Sequence, residues 1–160
     1  MGSEPVLPSP LVRPDKESTI SGLVLDELLQ SVRKQDAAFR LIAPGSSMWP
    51  SIRHGDLVTV EPLRGQPLRA GDVVAFLLPD TDSRQLAIQR VVRANGDAVV
   101  LRGDNCPQPA GPIPRASVVG LAALVERRGR KVPGALGRRG RLLAWLNARG
   151  WLRPFKTSPV

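Results

Sequence analysis

Apolar residues recur along this chain at two different spacings. In STISGLVLDELLQSVRKQD, residues 18–36, Ile20, Leu23, Val24, Leu28 and Leu29 fall at near-helical intervals, Ser18 or Ser21 can cap the start, and basic residues gather towards the end. This predicts one helix at the edge of the domain. From Phe39 to about residue 128 the pattern shortens to β runs: FRLIA, DLVTVEP, DVVAFLL, QLAIQRVV, DAVVLRG and SVVGLAALVER. Turn signals separate them, among them Gly55-Asp56, Ala70-Gly71-Asp72, Asn95-Gly96-Asp97 and Gly103-Asp104-Asn105. Strands spaced in this way predict a mainly β domain, a folded sheet or partial barrel. VVRANGDAVVL reads as the clearest hairpin, because Asn-Gly favours the positive φ angles of a tight primed turn. Further on, RLLAWLNARGWLRPF sets Leu142, Leu143, Trp145 and Leu146 opposite Arg138, Arg139 and Arg149, with Gly150 as a stop. That is a short basic amphipathic helix, which either covers the sheet or meets a membrane or partner.

The chain divides accordingly into a flexible, proline-rich arm over residues 1–17, a β domain with its leading helix over 18–128, and a basic linker and helix over 129–160. With 160 residues and 42% hydrophobic content, it can bury one core. Charge changes the picture more than composition does. The net charge is +9, and the segment from Arg127 to Lys156 holds ten basic residues and no acidic one, so the body is near neutral and the tail is basic. Residues 127–156 are therefore a candidate contact for anionic membrane or nucleic acid, against the alternative of a solvated appendage. No sequence-specific DNA-binding motif accompanies them. A single cysteine, Cys106, excludes an internal disulfide, and with one histidine, His54, most zinc arrangements go too. Neither metal nor cofactor is expected. No run approaches the apolar length of a signal-peptide core or a membrane span, which predicts a cytoplasmic protein, at most peripherally attached to membrane.

The block richest in chemistry is APGSSMWPSIRHGDLVTVEP. Gly45 permits an unusual backbone angle, Pro50 fixes the exit, and Gly55-Asp56 turns the chain into a strand, so Ser47 stands on a rigid corner that suits a nucleophile. Serines in turns are common, and these residues alone leave a plain turn as the alternative. The block is similar to the nucleophile box of the signal peptidases and LexA-type self-cleaving serine peptidases, which runs Gly-x-Ser-Met-x-Pro followed shortly by Gly-Asp. LRAGDVVAF, QRVV, RGDN and VVG resemble the later blocks of those proteins in the same order, so the resemblance spans about residues 39–126. It implies a β domain with a shallow groove that takes an extended peptide as an added strand.

Carried over residue by residue, the resemblance makes Ser47 the nucleophile, with its own N–H and the Ser46 hydroxyl as oxyanion donors. It makes Asp104, in the Gly-Asp-Asn box, a support for the site or its turn. Met48 packs beneath the corner, and Trp49 is either a peptide or membrane contact or a covered core residue. The general base of the family is a lysine or histidine just before the Arg-Val of the third block; here that position is Gln89. A neutral amide cannot accept the serine proton, although it can orient the hydroxyl. Lys16, Lys34, Lys131 and Lys156 all fall outside the expected strands, and His54 sits in a turn where exposure is expected. In the histidine type a further aspartate lies six residues beyond Asp104, where this chain has Ala110. Three functions follow as alternatives: a serine endopeptidase impaired at its base, an inactive peptide-binding module, and a binder of anionic surfaces through the basic tail.

Overall fold

The β runs pair into one sheet. The computed structural model describes residues 36–78 and 85–137, together with 11–12, 30, 142, 145 and 146. Its strands are β1 (Leu11–Val12), β2 (Phe39–Ile42), β3 (Leu57–Pro62), β4 (Val73–Leu77), β5 (Leu86–Asn95), β6 (Ala98–Arg102), β7 (Pro112–Pro114), β8 (Val118–Arg127) and β9 (Arg130–Lys131). All six expected runs appear as β2 to β6 and β8. The order is β1-β2-β3-β8-β4-β5-β6-β7, with β9 on β8, so the path ends at β1 and β7 and does not close into a barrel. Pairing is antiparallel except between β1 and β2. Leading and trailing helices were expected at 18–36 and 142–150. Apart from helical Gln30, Leu142, Trp145 and Leu146 and the turn residue Asp36, those segments lie outside the described residues.

Two apolar clusters sit against this sheet. Phe39, Leu41, Val58, Val60, Val73, Val119 and Val125 join Met48 and Ile52 in the first; Val74, Phe76, Val91, Val99, Leu101 and Val118 form the second. One sheet supplies both because alternate side chains face opposite sides, as Val73 and Ala75 against Val74 and Phe76 of β4 show. The C-terminal half of β8 pairs with β3 and its N-terminal half with β4, and the register slips at Thr59/Val60 and at Ala75/Phe76. A third slip in β5 leaves Val92 exposed between Val91 and Arg93.

Some details depart from the sequence pattern. Asn95 pairs with Ala98, so the hairpin turn is Gly96-Asp97, with Gly96 at φ 53°, and Asn95 belongs to the strand. Leu11–Val12, inside the segment read as a flexible arm, pair in parallel with Arg40 and Leu41. The segment read as a linker begins with β9, and Lys131, expected outside the strands, lies in it. Ala135 is buried in the first cluster, with Val132 and Leu136 packed against it. The small residues of VPGAL let the chain lie close on the sheet, which a composition-based linker assignment does not register.

Gly120 marks the tightest strand contact. A Cβ there would stand 2.4 Å from the Glu61 carbonyl oxygen and 2.7 Å from Val60 Cγ1. Gly120→Ala is therefore expected to lower stability by about 1–3 kcal/mol, read from the urea midpoint; an unchanged midpoint would contradict this close approach.

Candidate active site

The chain leaves β2 at Ala43 and returns to β3 at Asp56, and its base is closed by two backbone bonds, Ala43 N–H to Asp56 O (2.8 Å) and Gly55 N–H to Ala43 O (3.0 Å). Within this loop Gly45 takes φ 65°, which side chains rarely tolerate. A helical turn follows, with the Trp49 N–H on Ser46 O (3.0 Å) and the Ile52 N–H on Met48 O (2.9 Å). Met48 and Ile52 are buried in the first cluster and anchor the turn from below. Ser47 is thereby held half-buried on its shoulder, beside exposed Ser46. Among the described residues nothing accepts the Ser47 N–H, so the proposed oxyanion donor is unspent. Trp49 is half-buried, between its two expected placements.

Ser47 is also held from behind. Its carbonyl accepts the Asn105 N–H at 2.8 Å, and a Cβ on Gly103 would lie 2.6 Å from that same oxygen and 2.7 Å from Cys106 Sγ. Only glycine lets the Gly103-Asp104-Asn105 turn lie this close. Asp104 is buried, and Arg90 grips both of its oxygens, Nε to Oδ1 at 2.8 Å and Nη2 to Oδ2 at 2.7 Å. Arg90 also donates to Gly71 O at 2.9 Å and Ala135 O at 3.3 Å. Asp104 thus sits in the turn whose Asn105 N–H holds the Ser47 carbonyl. The sequence offered no sign that Arg90 was its partner.

A second bidentate pair braces the far side of the loop. Asp56, buried, takes Arg127 Nε at 2.8 Å and Nη2 at 2.7 Å, and it also accepts the Arg53 N–H at 2.8 Å. The hydrogen bond to Asp56 raises the Arg127 pKa above its ordinary value, with burial opposing and the carboxylate charge assisting, so the guanidinium stays protonated.

Ser47 opens on a small pocket of about 50 Å3, lined by Ala43, Pro44, Gly45, Met48 and Ile52 from its own loop and by Ala87 and Ile88 from β5. Gln89 is the next residue of β5, paired with Val74. Its Oε1 is buried without a hydrogen-bond partner among the described residues, an arrangement that costs roughly 1–3 kcal/mol in a folded chain. His54 is exposed, and its Nδ1 accepts the Gly45 N–H at 3.1 Å. With the ring lone pair spent on the backbone, His54 serves the loop's shape and is badly placed to take a proton from Ser47. Ala110 is exposed and ties its N–H to Leu101 O at 2.8 Å, in a stretch without a carboxylate beside it.

Comparison with protein families matches residues 14–123 to Peptidase S24-like. The chain belongs to this family. No curated protein matches it. The family match contains Ser47, its loop, Gln89, Arg90 and the Asp104 turn, and it stops within β8, before Arg127 and β9. Among the described residues no group of three His, Cys, Asp or Glu side chains is placed to hold a metal, and no helix is long and apolar enough to cross a membrane.

Proposed function

We propose that this Peptidase S24-like domain binds an extended peptide across the Ser47 corner and turns it over slowly or not at all. Gln89 carries this reading. The serine corner, its free N–H and the adjoining pocket are in place, while the position that resembles the family's base holds a neutral amide. Loss of general-base assistance costs about 10²–10⁴-fold in rate. The pocket is apolar and of a size for a small aliphatic side chain, and the outer edge of β2 already takes one added segment, Leu11–Val12, in extended pairing. Both features favour an extended chain as the ligand.

The test compares this protein with Ser47→Ala for binding and cleavage of labelled, alanine-rich extended peptides. Equal affinity within about twofold, with no Ser47-dependent product, is the expected result, since affinity then comes from backbone pairing and the pocket. Ser47-dependent product from the unaltered chain would overturn the assignment of Gln89 as a lost base.

A further inference from the structure

The loop that carries Ser47 and the hairpin joining β8 to β9 leave the same end of the sheet, because Leu57, at the start of β3, pairs with Glu126 near the end of β8. The Asp56–Arg127 pair bolts them together. On the loop side, Arg53 is exposed, and the turn it begins is hydrogen-bonded back to pocket-lining Ala43 and Gly45. On the hairpin side, Arg128, Arg130 and Lys131 are all exposed. The turn between them is tight, with Arg128 at φ 51° and Gly129 at φ 75°, which holds these side chains on a short rigid projection. None of the four cations makes an ion pair among the described residues. The nearby carboxylates are already committed, Asp56 to Arg127 and Glu126 to Arg40 at 2.6 Å.

We propose that Arg53, Arg128, Arg130 and Lys131 form a cationic rim that selects peptides bearing an acidic stretch next to the segment held at Ser47. This rests on the peptide-binding reading above and names the class of peptide. Cations without an ion pair among the described residues, gathered at this end of the sheet, attract anions and steer their approach. An acidic peptide fits better here than a lipid surface. The loop beside this rim exposes the small or polar residues Pro44, Gly45, Ser46 and His54, with Trp49 half-buried, whereas the large exposed apolar side chains among the described residues are Val92, Leu142 and Trp145, on other segments. Exposed cations beside small and polar exposed side chains suit a polyanion in solution. The rim's three hairpin cations lie beyond the family match, which ends at residue 123.

The experiment measures binding by fluorescence anisotropy of two alanine-rich peptides, one ending in Glu-Glu-Asp and one in Gln-Gln-Asn, to the full chain and to Arg128→Glu/Arg130→Glu/Lys131→Glu. Circular dichroism checks that the variant is folded, which its exposed positions favour. The acidic peptide should bind the unaltered protein roughly tenfold tighter at low salt, lose that margin as salt is raised, and lose it in the variant, while the neutral peptide is unaffected. Equal affinity for the two peptides would overturn the rim's role and leave the groove standing. Failure of both peptides to bind would overturn the groove as well. Sedimentation with phosphatidylglycerol vesicles that depends on the same three residues, without preference for the acidic peptide, would reassign the rim to lipid.

Discussion

Asp104→Ala is expected to lower the stability of the domain by about 3–5 kcal/mol. The substitution removes the partner of Arg90, whose side chain is only 8% exposed, and leaves a guanidinium with two backbone carbonyls in place of a carboxylate. An uncompensated buried charge is the costly half of such a pair, and a loss of this size is a large share of the roughly 5–15 kcal/mol that holds a typical domain together. The cost should fall mainly on the removal of one partner. Arg90→Met/Asp104→Leu, which removes both charges and fills their space, should recover most of the loss. Urea titrations of the singles and the double form the cycle that reads this coupling. A loss below about 1 kcal/mol for Asp104→Ala would show that the pair does not brace the turn behind Ser47, because exposed pairs have values of that order.

The strands were legible in the sequence because each is a short apolar or alternating run bounded by turn residues, and β2 to β6 and β8 fall within those runs. The sheet's closure was not. Whether strands of this spacing close or remain open depends on which edges meet, and the pairing of β8 with both β3 and β4 joins strands distant in sequence. The corner at Ser47 was legible from Gly45 and Met48, an unusual backbone angle beside a buried anchor. What holds the corner from behind was not, since the Arg90 to Asp104 contact crosses 14 positions and the Asp56 to Arg127 contact 71, and neither spacing leaves a mark in a single sequence. Asp104 read as a support for the site or its turn because of its box, and its pairing with Arg90 was the part that the box did not show. β9 and the buried Ala135 were hidden for a simpler reason: a segment rich in Arg, Gly and Pro has the composition of a linker even when it lies on the core.

Gln89→Lys is expected to raise Ser47-dependent peptide cleavage by about 10²–10⁴-fold. Serine attack on a carbonyl needs a base in reach, and the corner, the unspent N–H and the pocket are otherwise present. The buried setting of the Gln89 amide helps, because desolvation disfavours an ammonium and lowers a lysine's pKa towards neutrality, where its neutral form can accept a proton. Gln89→His should gain less, since no carboxylate stands at Ala110 to orient the ring.

The most direct measurement is mass spectrometry of peptide products, including products of the chain itself, from the unaltered protein, Gln89→Lys, and Gln89→Lys/Ser47→Ala. Product from Gln89→Lys alone is the predicted result, and it would establish a peptidase site silenced at one residue. Cleavage by the unaltered protein at a comparable rate, or silence from Gln89→Lys in a folded protein that binds peptide, would contradict it.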